Sequence, residues 1–207
     1  MTHETARKVL QIEADAIREL IPRIDETFDE AAEMLFRCTG RVVTTGMGKS
    51  GFIAQKVSAT LSSTGTPSLF LHPAEAIHGD LGRIGKGDVV IAISYSGETE
   101  EIVALLPTLK RIGAPLIALT GCTTSAIATA SEVHLDVSIR EEACPLRIAP
   151  TASTTAALAM GDALAMVLAE KRGFTLEEFA DLHPGGRLGR KLLRVEDIMH
   201  HGADTPQ

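Results

Sequence analysis

The sequence predicts an α/β fold, in which a doubly wound parallel sheet of five strands is flanked by helices on both faces. Strand-like and helix-like segments alternate along the 207 residues, as in chains that build a parallel sheet. The central strands are unbroken apolar runs, such as the Val-Val-Ile-Ala-Ile at 89–93, which is typical of strands covered on both faces. Hydrophobic residues make up 44% of the chain and aromatic residues only 3%, so the predicted core is aliphatic.

The individual elements follow from hydrophobic spacing and from the glycines and prolines that close each segment. Apolar residues recur every three or four positions over the first forty residues, which predicts a helix that Pro22 kinks or splits. The strands are predicted at 41–45, 68–72, 88–94, 116–120 and 133–137. The later helices are predicted at 50–63, 99–112, 125–130, 152–172 and 176–182. In the strand order 2-1-3-4-5, the first and third strands are neighbours.

Composition argues against several functional classes. A net charge of −7 disfavours a broad nucleic-acid-binding face. The three cysteines form no C-x-x-C pair, which disfavours a disulfide framework or a cysteine zinc site. Residues 1–20 lack the apolar centre of a signal peptide, and no apolar run approaches the roughly 18 residues of a membrane span. We therefore expect a cytoplasmic protein with no nucleic-acid and no membrane partner.

A glycine-rich segment at 46–51, here called the glycine loop, joins the first strand to the next helix. Its sequence, G-M-G-K-S-G, matches G-x-G-x-x-G, but a P-loop is excluded because Val43 stands where that motif needs glycine. Such a loop lets backbone N–H groups approach an anion at a helix N-terminus. Three interpretations remain open: a tight turn capped by Ser50, a dinucleotide site, or a site for another phosphate ligand. The second strand ends at His72, where a dinucleotide site would want an acidic residue.

A second segment, S-Y-S-G-E-T at 94–99, here called the hydroxyl loop, follows the third strand. The hydroxyl groups of Ser94, Ser96 and Thr99 converge on a helix N-terminus, which is more than one capping residue requires. Hydroxyl donors and free N–H groups suit a phosphate monoester. Because the first and third strands are predicted neighbours, both loops should line one crevice at their carboxyl ends.

Further motifs extend the pattern over nearly the whole chain. They are E-A-I-H-G-D-L-G at 75–82, E-A-C-P-L at 142–146, A-P-T-A-S-T-T at 149–155 and H-P-G-G-R-L-G-R at 183–190. Together with the two loops, these segments resemble the SIS (sugar isomerase) domain of the arabinose-5-phosphate isomerase family. The resemblance implies an SIS domain of flavodoxin-like strand order over 1–193. The tail at 194–207 resembles the start of a CBS domain pair.

The resemblance implies reversible conversion of D-ribulose 5-phosphate to D-arabinose 5-phosphate through an enediolate. The product would feed synthesis of Kdo, a sugar of lipopolysaccharide or capsule. The reaction requires no cofactor, and any bound zinc would be incidental or inhibitory. The family also implies a homotetramer whose active sites are shared between subunits, with the loop that carries His183 as the candidate for that crossing.

The resemblance also assigns the catalytic residues. Glu101 and Glu142 match the two carboxylates that move protons, and His183 matches the catalytic histidine. Lys49 has an electrostatic or positioning role rather than Schiff-base chemistry. The neighbouring acid Glu141 is expected to raise the pKa of Glu142. Other acids at the start of the helix after the hydroxyl loop have only a helix-dipole role.

The substrate-binding residues are assigned in the same way. They are Gly48, Ser50, Gly65, Thr66, His78, Ser94, Ser96 and Thr99. For Gly65, a role as the glycine that ends a helix is an equal alternative. His72, Glu75 and His78 could together hold zinc, and the resemblance favours His72 as the metal ligand.

Three other functions compete with the isomerase. A non-catalytic sugar-phosphate sensor would share the phosphate loops, but it would not need the acid–base set Glu101, Glu142 and His183. An isomerase of another phosphosugar is disfavoured by the motifs at 75–82 and 183–190. A nucleotide-binding oxidoreductase is disfavoured by the missing acidic residue at the end of the second strand.

Overall fold

The structure, a computed structural model, describes residues 2–184. The predicted domain boundary at 193, the tail at 194–207 and most of the motif at 183–190 lie outside the described residues. The CBS resemblance of the tail therefore stays a prediction.

Five strands form one parallel sheet in the order β2-β1-β3-β4-β5, which confirms the predicted topology. The strands are β1 Val42–Gly46, β2 Ser68–Phe70, β3 Val89–Ile93, β4 Leu116–Thr120 and β5 Val133–Asp136. The helices are α1 Thr2–Leu20, α2 Glu26–Phe36, α3 Gly48–Ser63, α4 Pro73–Ile77, α5 Glu100–Val103, α6 Leu106–Ile112, α7 Ala126–Ala130, α8 Ala152–Arg172 and α9 Leu176–Leu182. All strands run the same way, so their carboxyl ends share one edge, here called the carboxyl edge, opposite the amino edge.

Proline and short turns account for the differences from the predicted elements. Pro22 splits the first helix as predicted, with a 3-10 turn at Ile21–Arg23. The helix predicted at 99–112 is interrupted after Val103, because Pro107 has no N–H to donate to the carbonyl of that residue. Helix α4 was not predicted, since five residues are too few to show a helical period.

Side chains of each central strand point alternately into two apolar clusters, one on each face of the sheet. In β3, Ile91 packs into the cluster under α2, α3 and α8, whereas Val90 packs into the cluster under α5 and α6. This alternation explains why the strand is apolar at every position.

Helix α8 is the main core helix on its face of the sheet. By length and composition its 21 residues would suffice to cross a membrane, contrary to the expectation that no segment approaches such a span. Its apolar residues Met160, Leu164 and Leu168 are instead buried in the core of the domain. The apolar composition of α8 therefore reflects burial against the sheet and α3.

Helices α3 and α8 lie side by side and run from the carboxyl edge to the amino edge. Gly161 faces Val57 so closely that an added Cβ would overlap that side chain. Beside this contact, Lys56 pairs with Asp162 at 2.5 Å. At the far end of α8, Arg172 donates from Nε to Thr66 Oγ1 at 3.1 Å.

We expect Gly161→Ala to lower the free energy of unfolding by about 1–3 kcal/mol, since the added methyl group overpacks a fully buried helix contact. Chemical denaturation measures this change. Gly82→Ala is the matched control, because an added Cβ there meets open space. The double variant Gly161→Ala, Val57→Ala should recover part of the loss; equal stability of Gly161→Ala and wild type would contradict the close packing.

Candidate active site

The two predicted loops lie side by side at the carboxyl edge. Gly46, the last residue of β1, pairs with Ile93, the last residue of β3, so the glycine loop and the hydroxyl loop leave neighbouring positions. A cavity of about 230 Å³, here called the site cavity, opens at this edge. Its polar lining comprises Ser50, Tyr95, Glu142, Arg147, Ser153 and Thr154. It is smaller than the roughly 300–1,000 Å³ of drug-sized pockets, which suits a small metabolite.

A larger cavity of about 350 Å³ lies between α1 and the segment 141–147. It shares Glu142 and Arg147 with the site cavity, but neither the glycine loop nor the hydroxyl loop lines it. We therefore assign the chemistry to the site cavity. Residues at the ends of the strands line it, together with Ser50 of the glycine loop and the carboxylate residue Glu142.

The glycine loop is a close strand-to-helix turn. A Cβ on Gly46 would lie 2.8 Å from the carbonyl oxygen of Ser50, so only glycine fits there. Ser50 is the third residue of α3 rather than its cap, and the N-cap residue Met47 makes no side-chain cap. The first-turn N–H groups of α3 are thus open to an anion. Lys49 is exposed in this turn and makes no ion pair with residues 2–184.

The hydroxyl loop brings together the three predicted hydroxyl groups. The buried Ser94 Oγ lies 2.8 Å from Thr99 Oγ1 and accepts from Gly97 N–H at 3.1 Å. Ser96 is exposed, and its Oγ accepts from Glu98 N–H at 3.2 Å. Ser94 therefore braces the loop, whereas Ser96 and the half-buried Thr99 are presented toward solvent.

Two acids beside the hydroxyl loop have different surroundings. Glu98 Oε1 accepts from Ala126 N–H at 2.8 Å, so Glu98 caps α7 rather than its own helix. Glu101 lies half-buried in the first turn of α5, and its carboxylate makes no hydrogen bond or ion pair within residues 2–184. Of the two, Glu101 is the one free to exchange a proton with a ligand.

Glu142 is fixed at the N-terminus of α8. Its Oε2 accepts from Thr151 N–H at 2.8 Å, from Thr151 Oγ1 at 2.9 Å and from Ser153 N–H at 3.3 Å. By accepting from these groups, the Glu142 carboxylate caps the helix, which the side chain of the N-cap residue Thr151 does not do.

The environment of Glu142 overturns the expected direction of its pKa shift. Burial by itself would raise the pKa, but the nearby Ser153 hydroxyl and the donors on Ser153 and Thr151 outweigh it, so the pKa of Glu142 is lowered. The Ser153 hydroxyl is buried and has no other hydrogen-bond partner within the described residues, so it is available to the Glu142 carboxylate. Glu141 was expected to raise this pKa, but it pairs with Arg147 at 3.1 Å instead.

Of the predicted site residues, two line the site cavity itself, Ser50 and Glu142, and three lie far from it. Gly65 and Thr66 precede β2 at the amino edge, where Gly65 has φ +84° against Phe174 and Thr66 is buried. His183 follows α9; its Nδ1 lies 2.8 Å from the Phe179 carbonyl and its ring stacks on that phenyl ring at 4.0 Å. The 21 residues of α8 span about 30 Å, and its first turn lies at Glu142 while its last residue lies at Thr66. Their predicted roles in substrate binding and catalysis stay predictions.

The predicted zinc cluster is not assembled by a single chain. The Nδ1 atom of His72 is buried without a hydrogen-bond partner, whereas Glu75 and His78 are exposed. In the described part of the chain, no three His, Cys, Asp or Glu side chains form a metal-binding group. These residues do not fit a complete zinc site, and the metal role of His72 and the substrate role of His78 stay predictions.

Sequence reasoning missed Thr151, Ser153 and Arg147 as parts of the site. A Thr-x-Ser-Thr run at the start of a predicted long helix was visible in the motif at 149–155, and it signals backbone capping at that point. Arg147 gave no such signal. It lines the site cavity with φ +55°, the one positive φ of a non-glycine residue within 2–184.

Comparison with known proteins gives consistent relatives. The SIS domain family matches residues 35–167. Over 204 residues the chain is 56% identical to the arabinose 5-phosphate isomerase KdsD of Pseudomonas aeruginosa and 57% identical to that of Escherichia coli K12. These matches cover 98% of this chain but only 63% and 62% of those two relatives. A solved structure from Escherichia coli CFT073, in complex with arabinose 5-phosphate, has a TM-score of 0.86 at 43% identity, covering 88% of this chain and 97% of that one.

We expect Glu142→Gln to lower the free energy of unfolding by about 1–2 kcal/mol at pH 7, because the amide loses the charge that strengthens its hydrogen bonds. Because the pKa of Glu142 is lowered by folding, its carboxylate stabilises the fold at pH values above the ordinary pKa of 4.5. That contribution is lost as the pH falls through the folded-state pKa. Denaturation at pH 7 and pH 3 should therefore show a smaller difference at pH 3; a difference that is constant with pH would contradict this role.

Proposed function

This chain belongs to the SIS domain family, and from that premise we propose that it is an aldose–ketose isomerase that interconverts D-ribulose 5-phosphate and D-arabinose 5-phosphate. The observation that carries the proposal is the pairing of an uncapped, hydroxyl-lined anion site with two carboxylates at one edge of the sheet. The identity to the two isomerases and the neighbour solved with arabinose 5-phosphate support the same substrate pair. The proposed product supplies Kdo synthesis, and the proposed location is the cytoplasm.

The phosphate of the substrate binds at the two loops in this proposal. The open N–H groups of α3 and the hydroxyls of Ser96 and Thr99 provide donors for a dianion. Lys49 adds a cation beside them that no carboxylate of residues 2–184 neutralises. Among phosphate ligands, a sugar phosphate fits the small cavity better than a dinucleotide does.

Proton transfer is assigned to Glu101 and Glu142. A carboxylate removes a proton from C1 of the ketose, and the released electron pair forms the C1–C2 double bond of the enediolate as O2 takes a proton. Return of a proton to C2 and loss of the O1 proton give the aldehyde. This sequence needs only acids and bases, so no cofactor is required. Positive charge from Lys49 stabilises the oxyanion that develops along the way.

We also propose that His183 acts in the active site of a neighbouring subunit of a homotetramer. Within one chain it follows α9, which comes after the C-terminal end of α8, whereas Glu142 caps the first turn of α8 about 30 Å from that end. A catalytic histidine at that distance can meet the two carboxylates only if the site forms between subunits. Gly65 and Thr66 lie at the amino edge and reach the substrate in the same way.

Incubation with ribulose 5-phosphate, followed by NMR for aldose formation, tests the proposed reaction. We expect Glu101→Gln to lower kcat by roughly 10²–10⁴, because the amide cannot hold the transferred proton. Ser96→Ala should instead weaken substrate binding by about 1–3 kcal/mol, as expected for loss of a hydrogen bond to a charged group.

Glu98→Gln is the control. The Glu98 carboxylate accepts a hydrogen bond from Ala126 N–H, so this substitution should leave kcat unchanged. Absence of turnover in the wild type, with sugar phosphate still bound, would favour a sensor. Near wild-type kcat in Glu101→Gln would remove this residue from proton transfer.

Mixing two inactive variants tests whether the sites are shared. Glu101→Gln and His183→Ala should each have little activity alone, but co-refolded mixtures should regain activity, because some sites then combine intact residues from different chains. The NMR assay of aldose formation measures the recovery. No recovery in mixtures that light scattering shows to be hetero-oligomers would contradict the shared site.

A further inference from the structure

Thr151 occupies the N-cap position of α8 without capping the helix. Its Oγ1 donates to Glu142 Oε2 at 2.9 Å and accepts from Ala143 N–H at 2.8 Å. The hydroxyl therefore joins the carboxylate to the backbone of the residue that follows it. A threonine at this position ordinarily accepts from an N–H of the helix itself.

All the donors to Glu142 converge on one of its two oxygens. Oε2 receives the Thr151 hydroxyl together with the backbone N–H groups of Thr151 and Ser153. Within residues 2–184, Oε1 receives no hydrogen bond, and Glu142 lines the site cavity. One oxygen is thus anchored while the other retains its lone pairs for a ligand.

We propose that Thr151 is a positioning residue that fixes the orientation of the Glu142 carboxylate, so that Oε1 serves as the working oxygen in proton transfer. This inference rests on the proposed isomerase function. Thr151 itself contacts no reacting atom; its hydroxyl acts through Glu142. The conformational freedom of the carboxylate is removed before substrate binds, which is the condition for efficient proton transfer.

Other titratable groups line the two cavities that Glu142 borders. They are Glu4 and Lys8 of α1, Tyr95 of the hydroxyl loop, and Glu141, Cys144 and Arg147 of the segment before α8. Glu141 and Arg147 neutralise each other at 3.1 Å. None of these groups donates a hydrogen bond to Glu142, and the Ser153 hydroxyl that also lowers its pKa stays in place when the Thr151 hydroxyl is removed.

The test compares Thr151→Val, which keeps the shape, with Thr151→Ser, which keeps the hydroxyl, in pH profiles of kcat/KM. With the hydroxyl gone, the pKa of Glu142 rises, and the acidic limb should move up by about half to one pH unit. The plateau kcat should fall about threefold to tenfold from poorer alignment. Thr151→Ser should restore both.

Thr44→Val is the matched control, because this buried hydroxyl donates to the Ala54 carbonyl at 2.8 Å, away from Glu142. It should reduce stability and leave the pH profile unchanged. In a Glu142→Gln background, Thr151→Val should have no further effect on kcat. A wild-type profile in Thr151→Val, or equal impairment in Thr151→Ser, overturns the inference, whereas an inactive wild-type enzyme overturns the proposed function instead.

Discussion

The common direction of the five strands is the constraint on which the rest of the structure depends. Because every strand is parallel, each loop that follows a strand leaves from the carboxyl edge, and the next helix begins there. The helix N-termini therefore gather at one place with their unpaired N–H groups and partial positive charge. An anion site at that edge follows from topology, before any particular side chain is considered.

These helix N-termini fall into two groups, those capped by a carboxylate and those without a side-chain cap. Carboxylates cap α7 and α8, through Glu98 and Glu142 respectively. The starts of α3 and α5 have no side-chain cap and face the glycine loop and the hydroxyl loop. The internal acids thus neutralise the helix ends beside the site, and the positive potential is left where the proposed phosphate binds. Glu142 belongs to both systems, since it caps a helix and lines the site cavity.

The elements could be predicted from sequence because they depend on local spacing, and the strand order followed from the fold class and the family resemblance. Continuous apolar strands, glycine at Gly173 and proline at Pro22 carry their signal within a few residues. The motifs likewise identified the family correctly. The direction of the Glu142 pKa shift could not be predicted, since its donors lie nine to eleven positions further along the chain. The position of His183 could not be predicted either, because a sequence motif does not show where in the fold the end of α9 lies.

Helix α8 links two places whose geometry must be kept together. Its first turn holds Glu142, and its last residue, Arg172, holds Thr66 beside the segment that leads to His183. Each inserted residue would rotate one end of a helix relative to the other by about 100° and lengthen it by about 1.5 Å. An insertion or deletion inside α8 would therefore misplace one of the two ends. Substitution on the exposed side of α8 therefore disturbs the protein less than a change in the number of its residues.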